Sequence, residues 1–313
     1  MARPTRRGRH SKTLIGLYLA APYAVFLAVV YAVPIVQGVR ISLLDYVYAA
    51  PGADVPQPFT GLENYRKALE DPQLRRSFLN ILEFLAINVP LTVALGLTLA
   101  AVLAKLTRMK TFFRSAFFVP YVTASIAVIG VWYFLFSQSG LINHVLGGAA
   151  PNPSWLVNSK LAMVVIAFEV TWKQLGFYVL LYLAGVLLIP DSLYEAASID
   201  GAGVIRQFRA ITVPAVRNVT ILVTTLALIV GANLFTEPYL LTNGGGPNGA
   251  SMSPALLIYQ KGVEQQKPGV GAAMGILLTL FVLLVAGAGR GVQWLLQRAE
   301  QRGLERGEET ATA

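Results

Sequence analysis

LAMVVIAFEVTWKQLGFYVLLYLAGVLL, residues Leu161 to Leu188, decides the class of fold. A helix needs about 20 mostly apolar residues to cross a hydrocarbon core roughly 30 Å thick, because each residue advances it by about 1.5 Å. This run is long enough, and it lacks the period-two alternation of a membrane barrel strand. Working outward, similar runs lie near Leu14 to Val36, Leu79 to Leu103, Ala116 to Phe136, Val219 to Leu240 and Val270 to Leu296. The fold class is therefore an all-α integral membrane protein with six transmembrane helices. Composition agrees: of 313 residues 55% are hydrophobic and 13% charged, with a mean hydropathy of +0.58. Ordinary soluble domains carry roughly 25% charged residues.

The net charge is +9, from 25 Lys and Arg against 16 Asp and Glu. A nucleic-acid binder gathers its basic residues on one solvated face. Here they sit at the ends of apolar runs, so the expected surroundings are membrane lipid and no nucleic acid. The chain has no cysteine, and its histidines, His10 and His144, are far apart in sequence. Thiolate chemistry is excluded, and a metal site is not expected.

Lys and Arg accumulate in cytoplasmic connections. The tail before the first span holds Arg3, Arg6, Arg7, Arg9 and Lys12, and the connection after the second holds Lys105, Arg108, Lys110 and Arg114, both without acids. Arg206, Arg209 and Arg217 follow span four, and Arg298, Arg302 and Arg306 follow span six. Residues Ser137 to Ser159 have neither Lys nor Arg. Between Asp45 and Ser77, Arg66, Lys67, Arg75 and Arg76 are balanced by Asp45, Asp54, Glu63, Glu70 and Asp71. Both termini are thus expected inside. The domain layout is a basic cytoplasmic tail at 1–13, a six-helix domain at 14–297 with a cytoplasmic loop at 190–217, and a cytoplasmic tail at 298–313. A basic tail before an apolar run also describes a secretory signal. This run continues past Ala20 and Ala21, which favours an uncleaved first helix.

The connection between spans four and five reads IPDSLYEAASIDGAGVIRQFRAITVPAV, Ile189 to Val216. Ser192 and Glu195 have capping-box spacing, predicting a short helix to Asp200. Gly201 suits a left-handed cap, and a second short helix is expected to stop at Pro214. The result is a helical hairpin with Ala196 and Ala197 as a close-approach surface. On these grounds alone an ordinary interfacial hairpin fits as well.

The spacing Glu195-Ala196-Ala197, three residues, Gly201, nine residues, Ile211, one residue, Val213-Pro214 resembles the EAA loop of bacterial ABC-importer permeases. That family usually has Leu where Val213 stands. Phe118-Val119-Pro120, Gly140-Leu141-Ile142-Asn143, Leu183-Ala184-Gly185, Ile199-Asp200-Gly201-Ala202 and the run from Glu237-Pro238-Tyr239 to Gly246-Pro247 resemble its carbohydrate-uptake branch, the maltose and glycerol-phosphate permeases. The likeness implies a loop that docks on a separate ATPase subunit, with Glu195 the charged contact, Ala196 and Ala197 the packing face, Gly201 the turn, and Asp200 and Ala202 beside it. For Asp200, a capping role or a pair with Arg206 fits equally. Implied partners are two copies of a cytoplasmic ATPase subunit that binds ATP and Mg, a second homologous permease, and an extracytoplasmic solute-binding protein. The implied location is the bacterial inner membrane.

The chain has no Gly-Lys pair for a phosphate loop. Gly244, Gly246 and Gly249 have dinucleotide-fingerprint spacing but enclose Pro247 after an apolar run, so a turn over the outer mouth is the better reading. Within the spans, ionisable residues are costly and usually face a cavity or partner. Glu169 and Lys173 are spaced to pair on one helix face, with Trp172 beside them. Asn80, Glu83 and Asn88 in span two, with Trp132, Tyr133, Tyr178, Asn233, Glu237 and Tyr239, complete the candidates for a substrate pathway. Interhelical hydrogen bonding and snorkelling are the competing roles.

Gly271-x-x-x-Gly275 and Gly287-x-x-x-Gly291 predict close helix contacts. Pro22, Pro34 and Pro90 predict kinks, residues 49–58 a loop, Tyr65 to Leu69 an amphipathic segment, and the residues from Arg298 onward a frayed tail. The expected function is an alternating-access permease subunit, not an enzyme, for a carbohydrate or polyol. Alternatives are a sugar phosphate or phosphodiester as solute, or a channel or membrane-embedded enzyme. Neither a filter nor a convergent catalytic constellation is visible for the last two.

Overall fold

The computed structural model describes residues 18–50, 52, 55–106 and 110–312, with the backbone alone described at 110, 290 and 292–312. The basic tail at 1–13 with its five cations, the start of the first span at Leu14, Arg108, and the side chains of Lys110, Arg298, Arg302 and Arg306 lie outside the described residues. Among the described residues, six helical stretches are long and apolar enough to cross a membrane: Tyr18–Ser42, Pro72–Lys105, Ser125–Ala149, Ala162–Val186, Arg217–Leu240 and Pro268–Gly289.

The chain divides into two compact units, Met1–Glu70 with Ile258–Ile276, and Asp71–Leu257 with Leu277–Ala313. In the first, α1 (Tyr18–Ser42) widens into a π turn at Ala28–Ala32, where the Val33 N–H reaches the Ala28 carbonyl. Pro34 follows directly. Local π widening is one of the adjustments by which a membrane helix accommodates a proline. The loop after α1 is tied by an antiparallel bridge between Leu44 and Phe59. Asn64 of α2 (Glu63–Glu70) donates to the carbonyls of Ser42 and Leu44 at 3.0 and 2.8 Å. The amphipathic segment expected here is thus a real helix. Its half-buried Glu63 carboxyl is held below the usual glutamate range by the Arg66 hydrogen bond.

In the second unit α3 (Pro72–Lys105) runs unbroken through Pro90. It packs against α7 (Ala162–Val186) and against α10 (Arg217–Ala232). Lipid tails are as apolar as leucine, so close packing and interhelical hydrogen bonds hold such helices together. One buried cluster joins Ile81, Phe84, Ile129, Ile166, Val170 and Leu234. A second joins Leu97, Leu103, Tyr182, Leu183, Val186, Val216 and Val223. The helices α4 (Lys110–Val122) and α7 meet at Gly176, where a Cβ would stand 1.9 Å from the Phe117 carbonyl oxygen, so no side chain fits.

Several expectations need correcting. The single span expected over Ala116 to Phe136 is broken: α4 ends at Val122, and α5 (Ser125–Phe136) starts after a non-helical Ala124. Thr123 turns both its N–H and its hydroxyl onto the Val119 carbonyl, closing the helix. The fifth span breaks likewise between α10 and α11 (Thr236–Leu240), where the backbone and side-chain N–H groups of Asn233 both bond the Ile229 carbonyl. Asparagine and threonine side chains compete in this way with the helix ladder. Of the glycine pairs, Gly271 lies against Gly262, but a Cβ added at Gly275, Gly287 or Gly291 would meet no described heavy atom within 4 Å. The last helix, Pro268–Thr312, continues in its backbone through the segment expected to fray. That segment is rich in Arg, Glu and Ala, which favour helix.

Candidate functional site

The loop after α7 folds into the expected hairpin, with Gly201 as its left-handed cap but a different start to its first helix. Its first helix, α8 (Asp191–Ile199), has Pro190 as N-cap and no side-chain capping bond. The helix starts with Asp191, so Ser192 is already inside it and the Ser192–Glu195 capping box does not form. Pro190 is extended at φ −62°, ψ 132°, and Asp191 places an acid at the positive end of the helix. The other end has a complete Schellman closure, with Gly201 N–H on Ser198 O at 3.1 Å and Ala202 N–H on Ala197 O at 2.8 Å. Gly201 has φ +73°, the left-handed conformation this cap requires.

The second helix, α9, spans residues 204–215 as Val204–Gln207, a π turn at Phe208–Thr212, and Val213–Ala215. It ends at Ala215, one residue beyond the expected stop at Pro214. As at Pro34, the π turn precedes the proline, and Val213 N–H bonds Phe208 O. Glu195, Ala196, Asp200 and Gly201 are exposed, while Ala197 and Ala202 are half-buried. Asp200 is the C-cap residue, and among the described residues it makes no ion pair with Arg206. Leu193, Ile199, Val204 and Ile205 are exposed as well, giving the hairpin a partly apolar outer surface interspersed with the carboxylates of Asp191, Glu195 and Asp200.

The pathway candidates divide into two sets. Asn80 is buried and donates to the carbonyls of Gly249 and Met252 at 2.8 and 2.9 Å. It fastens the turn at 243–253, where Asn243, Gly244, Gly245, Gly246, Asn248 and Gly249 all have left-handed φ. The glycine-rich stretch is therefore a turn, as expected. Asn88 donates to the Thr171 hydroxyl at 2.8 Å, and that hydroxyl donates to the Ala167 carbonyl. Both asparagine amides thus bond to protein groups.

Glu169, Lys173, Trp172, Asn233 and Tyr239 belong to elements in mutual contact, because α11 packs against both α5 and α7. The Glu169–Lys173 pair does not form. The Lys173 ammonium donates instead to the Ser125 hydroxyl at the start of α5, and both Glu169 carboxylate oxygens are buried without a hydrogen-bond partner. The spacing permits the pair, but the break before α5 brings a hydroxyl within reach of the lysine. Trp172 is half-exposed, with its ring 6.1 Å from Trp132, which stacks on Phe136 at 5.1 Å. Tyr239 stacks on Phe235 at 5.5 Å. Glu83 is exposed on α3. Among the described residues no group of His, Cys, Asp and Glu is placed to hold a metal.

Reading residues alone missed the side chains that hold the hairpin closed. Gln207, which is buried, donates to the Ser198 hydroxyl at 2.9 Å and to the Ala202 carbonyl at 3.0 Å. The Tyr194 and Thr212 hydroxyls are 2.9 Å apart. A glutamine and a tyrosine amid exposed neighbours were the available signal. A further unpredicted knot joins Asn143 to the Trp155 indole N–H at 2.7 Å and the Ser154 hydroxyl at 3.0 Å.

Apolar spanning helices and a protruding capped hairpin define a multi-pass membrane protein of the transport class. Residues 92–294 match the family described as binding-protein-dependent transport system inner membrane component. The chain belongs to that family, and is a transport subunit of a solute-binding-protein-dependent ABC importer, not an enzyme. It is 32% identical over 279 residues to the probable ABC transporter permease protein YurN of Bacillus subtilis, covering 87% of this chain and 94% of that protein. It is 30% identical over 286 residues to the arabinooligosaccharides transport system permease protein AraP of the same organism, covering 88% of each. It is 31% identical over 281 residues to the trehalose/maltose transport system permease protein MalF of Thermococcus litoralis, covering 89% of this chain and 93% of that one. The fold matches a chain from the crystal structure of a bacterial ABC transporter involved in the import of the acidic polysaccharide alginate, with TM-score 0.75 at 18% identity over 92% of this chain and 98% of that one.

Proposed function

We propose that this permease imports a carbohydrate or related polyol by alternating access. The observation that carries the coupling part is the capped hairpin, whose exposed Glu195 and Ala196 stand beside half-buried Ala197 on a helix closed by a Schellman turn. In this reading two copies of a separate ATPase subunit bind ATP and Mg, and one receives α8 in a groove: Glu195 makes the charged contact, Ala196 and Ala197 pack, and Asp200, Gly201 and Ala202 set the turn. A second homologous permease completes the pathway, and an extracytoplasmic solute-binding protein delivers the ligand. ATP and loaded binding protein drive the cycle through their unequal affinity for its two states.

The bacterial inner membrane is the proposed location, with both termini and the hairpin cytoplasmic, as the distribution of Lys and Arg supports. The layout is the tail at 1–13, the permease domain at 14–297 with its coupling loop at 190–217, and the tail at 298–313. Glu169, Trp172, Lys173, Asn233 and Tyr239 are proposed to line the pathway, with ring faces for sugar C–H groups and polar atoms for hydroxyls. Glu83 is assigned to the same pathway from its exposed position, and Asn80 and Asn88 shape its walls. Carbohydrate as the solute is supported by relatives whose names include arabinooligosaccharides and trehalose/maltose.

The test is to purify the chain from its native membrane and assay ATPase activity with and without Glu195→Lys. An ATPase that co-purifies with the natural chain and is lost or uncoupled in the variant is the expected result. Purification with no ATPase, unchanged by the substitution, would refute the coupling reading.

A further inference from the structure

The two helices of the hairpin are joined by more than their turn. Gln207 of α9 reaches back to the Ser198 hydroxyl of α8, at 2.9 Å, and to the Ala202 carbonyl of the turn, at 3.0 Å. Ser198 passes the bond on, its hydroxyl donating to the Tyr194 carbonyl at 2.8 Å. One helical turn nearer the root, the Tyr194 hydroxyl meets the Thr212 hydroxyl at 2.9 Å, inside the π turn. Gln207 and Thr212 are buried at 8% and 3% exposure, although most of the hairpin surface is open.

Below these ties the hairpin is rooted in packed side chains. Val216, between α9 and α10, is 1% exposed and belongs to the buried cluster with Leu103, Val186 and Val223. Alongside, the hairpin is not filled in against α3: a cleft of about 490 Å³ lined by Lys105, Tyr194, Glu195, Gln207 and Thr212 lies there. A helix of nine residues beside such a cleft has room to tilt about its own turn, unless something fixes it to its neighbour.

We propose that Gln207, Tyr194 and Thr212 are positioning residues that hold the hairpin as one rigid body, so that a displacement applied at Glu195 to Ala197 arrives at Val216 and α10 instead of being lost in bending. This inference rests on the coupling reading above and adds residues to which that reading gives no role. The transmitting element is the pair of side-chain ties; the contact residues only receive the push.

The chain's lack of cysteine makes a direct test clean. Spin labels are placed at Ile199→Cys on the hairpin and Leu222→Cys on α10, which are exposed by 87% and 47%. The labelled chain is purified with the ATPase that co-purifies with it, and the distance distribution is measured without nucleotide and after trapping with ATP and vanadate. The expected distribution is narrow and the same in both states. Thr212→Val should raise the bent population about fivefold, equivalent to about 1 kcal/mol for one hydrogen bond, Gln207→Leu, which loses two, should raise it further, and the distance should then differ on trapping. Tyr194→Phe combined with Thr212→Val should add nothing to Thr212→Val alone, because both remove the same bond, and Thr212→Ser should restore the narrow distribution.

A natural chain whose distance already changes on trapping overturns the proposal, as do variants that leave the distribution unaltered while the ATPase still co-purifies. Failure of any ATPase to co-purify is a different result. It refutes the coupling reading, and the lever falls with it.

Discussion

Gly176→Ala adds one methyl group where α7 crosses α4, and the structure fixes how badly it fits. The new Cβ would stand 1.9 Å from Phe117 O, 2.5 Å from Phe117 C and 2.9 Å from Phe118 N. Real Cβ contacts essentially never fall under 3.0 Å, so the shortfall at the oxygen is 1.1 Å, 3.0 less 1.9. All three obstacles are backbone atoms, which no rotamer change removes. The helices must separate, and overpacking against backbone atoms falls in the upper part of the usual range, about 2–3 kcal/mol. Alanine recovers at most about 1 kcal/mol over glycine within a helix, leaving a net loss of about 1–2 kcal/mol. For a chain of 313 residues that corresponds to a melting point lower by about 1.5–3 °C.

The assay is thermal unfolding of the purified protein in detergent, with two companions. Gly185→Ala meets the Val219 Cγ2 atom at 2.7 Å, the movable end of a side chain, and should cost less. Gly130→Ala meets nothing within 4 Å and should be neutral or gain about 0.5–1 kcal/mol. A Gly176→Ala protein that melts with or above the natural one would refute the close approach of α4 and α7.

Asn80→Ala removes the two donors that hold the turn at Gly249 and Met252. Leaving a buried acceptor unsatisfied costs about 1–3 kcal/mol, so limited proteolysis should cut at residues 243–253 faster than in the natural protein. At Gly201 the left-handed φ of +73° costs an alanine about 1–2 kcal/mol. Gly201→Ala should therefore retain less co-purifying ATPase than Gly201→Asn, since asparagine tolerates that conformation better. In α2 the Glu63 carboxyl is lowered, chiefly by its Arg66 hydrogen bond, so its contribution is present above the ordinary glutamate range and lost as pH falls through the lowered value. Amide exchange of α2, corrected for intrinsic rates, should be flat from neutral down to that range and rise only below it.

The existence of the spans was legible because long apolar runs leave a chain little choice in a membrane. Their interruptions were not. The break at Thr123 depends on a hydroxyl turning onto the Val119 carbonyl, and the break after Asn233 on an amide reaching the Ile229 carbonyl. Both residues also occur inside unbroken helices, so neither reads as a stop. The π turns that precede Pro34 and Pro214 were not legible either, since no residue type marks that widening.

At the hairpin, Gly201 announces its own conformation because few other residues tolerate that φ. The start is harder to read because Pro190 and Asp191 open the helix before Ser192 can cap it. The Glu169–Lys173 spacing is correct for a pair within one helix, but tertiary packing offers Lys173 the Ser125 hydroxyl on another. Asn80 and Asn88 look the same in sequence as residues facing a pathway. Only the fold shows their amides bonded to a turn and to Thr171. The ties from Gln207 and Tyr194 likewise exist only once the loop has folded back on itself.

The central claim is that α8 is the surface through which this permease is driven, and cross-linking tests it most directly. The chain has no cysteine, so Ala196→Cys gives a single reactive site on the exposed face of that helix. Labelled with a short maleimide-benzophenone in native membranes and illuminated, it should form one product, with an ATPase polypeptide, whose yield changes when ATP and vanadate are added. A site that reacts freely with maleimide in the assembled membrane, yet joins no ATPase under either condition, would contradict the account.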